Sequence, residues 1–207
     1  AQAPAADPFS SPGFKSLVRE SDPLPVEKSL KAFDVPDGFV MELVAASPDI
    51  GQPMNLAFDK RRRLWVSSTL EYPYPAPPNR KGCDTIKVFE DTNGDGRYDK
   101  ITTFADGLNI PTGLHPYKNG VIAWSIPNIW NLQDTNGDGR MNKSVVFASG
   151  LNWPTSVCCY NGGLFVLAPQ YLLYLRDTDG DDVADVREIV LSGFGRGNVQ
   201  AVTNGLK

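Results

Sequence analysis

Apolar residues along this chain fall in short runs separated by polar turns. Val121, Ile122, Ala123 and Trp124 make one run, and Leu164, Phe165, Val166 and Leu167 another. Both are rich in branched or aromatic side chains and are bounded by Gly, Asn or Pro, the signature of strands. Nowhere in this region do apolar residues hold the i, i+3, i+4, i+7 spacing that buries one face of a helix.

The runs repeat. Asp91-Thr92-Asn93-Gly94-Asp95-Gly96-Arg97 returns as Asp134-Thr135-Asn136-Gly137-Asp138-Gly139-Arg140 and again as Asp177-Thr178-Asp179-Gly180-Asp181, at a step of 43 residues. Gly107-Leu108 recurs at Gly150-Leu151 and Gly193-Phe194, Pro111-Thr112 at Pro154-Thr155, and Tyr117 at Tyr160, all in the same register. Four strands of about five residues and their turns fill about 40 residues, the size of one blade of a β-propeller. The expected fold class is therefore all-β, a β-propeller of four-stranded blades. The first blade places its strands at 53–58, 63–67, 85–89 and 100–104. The second spans 111–151, the third spans 154–194, and residues 197–207 open a fourth. An N-terminal extension occupies 1–32, disordered over 1–12, with a short helix or a strap at 25–33. The propeller portion runs over 33–207. Within it, 39–44 is expected as a lone strand that closes a ring with a last blade. Such a chain reads as the front half of something larger, whose remaining blades, or a neighbouring chain, cover its open edges.

Charge and composition narrow the picture. Twenty basic residues against 24 acidic give a net charge of −4 with no basic stripe, which excludes nucleic acid and anionic membrane surfaces as partners. No apolar run approaches the roughly 20 residues needed to cross a bilayer. The start, Ala1-Gln2-Ala3-Pro4-Ala5-Ala6, reads as a mature end left by cleavage at a small-residue site. Together with the acidic loops it points to export, to the periplasm or the cell surface. Cys83, Cys158 and Cys159 are odd in number, so at least one thiol is unpaired within the chain. Cys158 and Cys159 are neighbours on a strand and point to opposite faces, as buried, inert thiols.

The acidic loops carry the clearest chemistry. Asp-x-Asn-x-Asp-Gly sets oxygen ligands at positions 1, 3 and 5 with a glycine for the sharp turn, and Ca2+ takes six to eight such oxygens. The expected ligands are Asp91, Asn93, Asp95, the Arg97 carbonyl and Asp99 in the first loop. In the second they are Asp134, Asn136, Asp138, the Arg140 carbonyl and Asn142. In the third they are Asp177, Asp179, Asp181, the Val183 carbonyl, Asp185 and, at position 12, Glu188. Asp182 stands in the third loop where the others have glycine. Strands enter and leave each loop, which excludes an EF-hand. The second loop, with Asn142 at position 9 and no acid at 12, is expected to be the weakest. Acidic hairpin turns without metal are the competing account. Each loop joins a third strand to a fourth, on the face opposite the interblade links, so the ions would be structural staples.

The order of Phe33 to Phe39, Pro53 to Asp59, Arg63-Leu64-Trp65-Val66, Tyr72-Pro73, the acidic loops and Gly193-Phe194-Gly195 resembles the N-terminal propeller of the membrane-bound dehydrogenases of planctomycetes and verrucomicrobia. That family is similar to soluble quinoprotein sugar dehydrogenases, so the resemblance implies six blades in the whole protein, calcium, pyrroloquinoline quinone (PQQ), and a haem c domain or cytochrome as electron acceptor. No Cys-x-x-Cys-His is present, so this chain carries no haem. A catalytic His at the start of an inner strand is the family's base. The matching stretch here, 198–206, has none, and the one histidine, His115, falls late on an inner strand, toward the acidic-loop face. No catalytic residue is therefore assigned. On the opposite face the insertion at 70–83 offers Tyr72, Tyr74, Arg80 and Lys81, and the equivalent loops offer Asn128, Gln170 and Tyr171, as candidates to hold a sugar or quinone. Two functions compete: an exported quinoprotein-like dehydrogenase of a sugar or alcohol, and a non-catalytic, calcium-stiffened scaffold that binds glycan or protein. A lactonase-type hydrolase would need its metal in the central channel, where these loops do not put it.

Overall fold

The computed structural model describes residues 22–195, 197, 205 and 206. Its chain divides into two compact units, Ala1–Ala46 and Ser47–Lys207. In the first, helix α1 (Val26–Lys31) follows Pro25, with Glu27 in its first turn and Lys28 and Lys31 in its last, charges that suit the helix dipole. This is the short helix expected at 25–33. Residues 39–44 form no strand among the described residues, which do not include the last blade expected to pair with them, and Phe39 and Val40 are among the most exposed apolar side chains. A strand needs a ladder partner, and none of the described residues supplies one. The expectations for 1–12 and for 198–204 lie outside the described residues.

The second unit holds three four-stranded antiparallel sheets, each in simple sequence order. The first comprises β1 (Gln52–Phe58), β2 (Leu64–Thr69), β3 (Asp84–Glu90) and β4 (Lys100–Leu108). The second comprises β5 (Thr112–Tyr117), β6 (Gly120–Ser125), β7 (Asn128–Gln133) and β8 (Lys143–Ala148). The third comprises β9 (Ser156–Tyr160), β10 (Gly163–Ala168), β11 (Tyr171–Arg176) and β12 (Val186–Ser192). These are the three blades read from the sequence.

Central strands are buried on both faces: β2 and β6 are buried at every position. Two apolar clusters form the core, and each spans a junction between blades. Trp65, Ile86 and Phe104 of the first blade pack with Leu114, Val121 and Leu132 of the second, and Trp65 meets Phe104 edge to face at 4.8 Å. Ile122, Ile129 and Phe147 of the second pack with Val157, Leu164 and Leu175 of the third. Blades cannot bury these faces alone, so the junctions hold the array together.

Hydrogen bonds repeat at the same step. Met141 N–H donates to the Phe104 carbonyl at 2.7 Å, and Ala184 N–H to the Phe147 carbonyl at 2.8 Å. Phe104 and Phe147 are each the unpaired residue of a bulge in the fourth strand, which frees the carbonyl from the ladder and turns it toward the next blade. The leading strands β1, β5 and β9 also approach one another. Gly113 N–H donates to Asn55 Oδ1 at 2.6 Å. Gly113 holds φ at +64°, and a Cβ there would lie 3.3 Å from Ser156 Cα.

Candidate metal loops and the opposite face

The three acidic loops join β3 to β4, β7 to β8 and β11 to β12, and they fold alike. Asp91, Asp134 and Asp177 each accept two equivalent backbone N–H groups, and Asp134 a third, from Asn136 at 3.2 Å. Those of Gly94, Gly137 and Gly180 come to Oδ1 at 2.7 Å, and those of Gly96, Gly139 and Asp182 come to Oδ2 at 2.8–2.9 Å. The position-5 carboxylates of Asp95, Asp138 and Asp181 accept the N–H two residues on, from Arg97, Arg140 and Val183, at 2.8 Å. These turns need a left-handed backbone, which glycine supplies at positions 4 and 6 of the first two loops. The Gly180 N–H first, then that of Asp182, hold the Asp177 carboxyl below the usual range. Burial opposes ionisation of Asp134, and the N–H groups of Gly139 and Gly137 outweigh it.

Position 9 does something the sequence reading missed. Asp99, Asn142 and Asp185 turn to the threonine at position 2: Thr92, Thr135 and Thr178 give them their N–H at 3.1, 2.9 and 3.1 Å. The three threonine hydroxyls donate to the same side chains. Here Asp99, Asn142 and Asp185 clasp the loop shut, a role the recurrence of Thr at position 2 could have signalled. Glu188 stands within β12 opposite Tyr174, outside the carboxylate cluster. The donors brought together are those of positions 1, 3 and 5.

The loops differ at position 3. In the first two, the Asn93 and Asn136 amides donate to the Asp95 and Asp138 carboxylates at 3.2 and 3.1 Å. Asp179 has no proton to give. Carboxylate oxygens of Asp177, Asp179 and Asp181 all lie within 4.8 Å of one another. Three carboxylates this close repel one another by only about 1 kcal/mol per pair in water, a cost that a cation among them would remove. The oxygen-only donor set fits a hard divalent ion.

The opposite end carries the 70–83 insertion and the loops between β6 and β7 and between β10 and β11. Buried Asp84 moors the insertion. Its Oδ1 accepts the N–H groups of Leu70 at 2.6 Å and Glu71 at 3.1 Å, and its Oδ2 accepts the Thr69 hydroxyl and the Ile110 N–H, both at 2.7 Å. Arg80 pairs with Glu71 at 2.6 Å, and Lys81 with Asp106 at 2.9 Å. The Arg80 guanidinium, with the Cys83 thiol, holds the Glu71 carboxyl down at about 2. A cleft of about 420 Å³ brings Arg80 and Lys81 near Trp130, Pro77 and Ile126. Tyr72, Tyr74, Asn128, Gln170 and Tyr171 are not part of it. Both cations are thus already matched by acids, and the candidate residues do not converge on one cradle. They do not fit the acidic quinone that the resemblance implied.

His115 lies on β5 opposite Ile122, and burial lowers its pKa. The three thiols are free. Cys83 is exposed, Cys158 and Cys159 are half-buried rather than buried as expected, and burial pushes Cys159 up to about 11.

Three successive four-stranded sheets joined through their leading strands define a protein of the β-propeller class. The sequence matches the family described as Domain of unknown function (DUF7133) over residues 25–140 and 129–207, and the chain belongs to that family. A solved structure of a gluconolactonase from Xanthomonas campestris is similar, with a TM-score of 0.54 at 16% sequence identity, over 75% of this chain and 53% of that one. That likeness shows the fold. The chain spans about half the length of the solved structure. No curated protein matches the sequence. The resemblance to membrane-bound dehydrogenases finds no counterpart in these matches beyond the propeller itself. No helix among the described residues is long and apolar enough to cross a membrane.

Proposed function

We propose that this chain is the calcium-braced frame of an exported β-propeller that processes a sugar or an alcohol, with three ions holding the β3–β4, β7–β8 and β11–β12 connections. The observation that carries the reading is the third loop, where three carboxylates converge within 4.8 Å with no donor side chain at position 3. An ion bound only by the folded state adds about 2.7 kcal/mol per site at a hundred times its Kd. For a chain of this size that raises Tm by roughly 5–10 °C per site. The test is metal analysis of purified protein, followed by melting with calcium and with a chelator. Three ions per chain and a chelator-induced fall in Tm are expected. An unchanged Tm with no bound calcium at millimolar supply would sink the reading.

Within that frame, quinoprotein-like dehydrogenation with a haem partner is the role the sequence resemblance supports. A non-catalytic scaffold that binds glycan or protein is the second reading, favoured by the engagement of Arg80 with Glu71 and Lys81 with Asp106. Reconstitution with calcium and PQQ, read by dye reduction with sugars and alcohols, separates them. The chain by itself is expected to be silent, because a dehydrogenase needs a positioned base and His115 faces the acidic-loop end. Turnover that disappears in His115→Ala would overturn that assignment.

A further inference from the structure

Asp182 is the one turn residue that breaks the glycine pattern, and it holds φ at +70°, a conformation costly for a side chain. What it gains is a position at the junction of the second and third blades. Its buried carboxylate accepts from Lys143 Nζ at 2.9 Å, Asn131 Nδ2 at 3.1 Å, Lys118 Nζ at 3.2 Å and Gln133 Nε2 at 3.4 Å, all on the second blade. Two of these donors, Lys143 and Lys118, are ammonium groups that form ion pairs with it at 2.9 and 3.2 Å. Its own N–H donates to Asp177 Oδ2, the first oxygen donor of the third loop. One residue therefore touches the converging carboxylates with its backbone and the neighbouring blade with its side chain.

The receiving residues are matched to it. One repeat earlier, Asn131 and Gln133 correspond to Val88 and Glu90, and the turn residue Gly139 has no side chain to reach them. Amide donors thus appear on the junction that has the aspartate and are missing from the junction that lacks it. A further group at this spot has a free acceptor: Asn131 Oδ1 is buried without a partner and lines a cavity of about 260 Å³ with Asp177 and Asp182. A buried carbonyl of that kind calls for a donor, such as water from the shell of a nearby ion.

We propose that Asp182 couples occupancy of the third acidic loop by a divalent cation to the packing of the second blade against the third. The proposal rests on the cation reading above and concerns the third loop alone. An ion drawing Asp177, Asp179 and Asp181 together fixes the Asp182 backbone, and with it the carboxylate that Lys118, Asn131, Gln133 and Lys143 grip. Coupling is reciprocal, so loosening that grip weakens the ion.

Calcium titration by calorimetry, with amide hydrogen exchange along β7 and β8, tests it on the wild-type chain, Asp182→Gly, Asp182→Asn and Asp177→Asn. Asp182→Asn keeps the size of the side chain should the glycine variant fold poorly. In wild type, calcium is expected to slow exchange around Asn131, Gln133 and Lys143. Both Asp182 variants should keep full ion stoichiometry, bind the third ion about tenfold more weakly, and lose the calcium-dependent protection of β7 and β8, while Asp177→Asn should lose one ion outright. Calcium that binds with undiminished affinity and protects β7 and β8 equally in the Asp182 variants overturns the coupling and leaves the cation reading standing. Stoichiometry that does not fall in Asp177→Asn overturns both.

Discussion

Replacing Asp84 with alanine tests whether the insertion at 70–83 and the link to the second blade hang on one carboxylate. Asp84 is 1% exposed, and its two oxygens take four donors from three segments: Thr69, the insertion at Leu70 and Glu71, and Ile110 in the link. Alanine would not strand all of these equally. Glu71 N–H keeps the Thr69 hydroxyl oxygen at 3.1 Å as a second acceptor. Leu70 and Ile110 lose the side-chain acceptors they have, and a buried N–H left unpaired costs about 1–3 kcal/mol. The loss is therefore about 4 kcal/mol, a large share of the roughly 5–15 kcal/mol that holds a domain folded. Asparagine keeps one accepting oxygen and should lose about half as much. Urea unfolding followed by tryptophan fluorescence reads this directly. With a slope of about 2 kcal/mol per molar, the midpoint should fall by about 2 M for alanine and about 1 M for asparagine. An alanine midpoint within about 0.5 M of wild type would show that the mooring contributes little and refute the reasoning.

Two further outcomes follow from the geometry. Glu71 has its pKa depressed from an ordinary 4.5 to about 2, chiefly by Arg80, so its contribution to stability is present above the unfolded value and is lost as pH falls from about 4.5 toward 2. Arg80→Ala should move the acid-unfolding midpoint upward, and a midpoint unchanged by circular dichroism would assign the acid response to other carboxylates. Gly120→Ala should destabilise by more than about 2 kcal/mol, since its Cβ would fall 1.9 Å from the Leu132 carbonyl oxygen. Gly94→Ala, with open space around it and only its φ of +79° to strain, should cost about 1 kcal/mol, both variants being compared with wild type by urea unfolding.

Much of the fold is legible in the chain because the repeat writes it three times. The Asp-Thr-Asn-Gly-Asp step and the apolar runs at 121–124 and 164–167 place strands and turns without any long-range knowledge. What they do not place is anything decided between blades. Residues 39–44 are a short apolar run like that of a strand, but such a run cannot provide a partner. Position 9 of each acidic loop has ligand chemistry, and its second engagement, with the threonine at position 2, does not show in the ligand pattern. Asp182 stands out in the sequence as a broken glycine, but its destination depends on Asn131 and Gln133, 51 and 49 residues away. On the opposite face, Arg80 and Lys81 look like free cations until Glu71 and Asp106 are found beside them.

The bulges at Phe104 and Phe147 give each joint a direction: one blade offers an acceptor, and the following blade answers with an N–H from its acidic loop. The second blade therefore carries one half of the joint before it, the Met141 N–H, and one half of the joint after it, the Phe147 carbonyl. Such a segment is a portable part. Copying it in tandem adds a blade with both of its couplings intact, whereas reversing the order of two halves would set carbonyl against carbonyl. The number of blades is consequently not written in the joint at all; it is left to the angle each blade makes with the next, and the same hardware can grow an array without inventing a new contact.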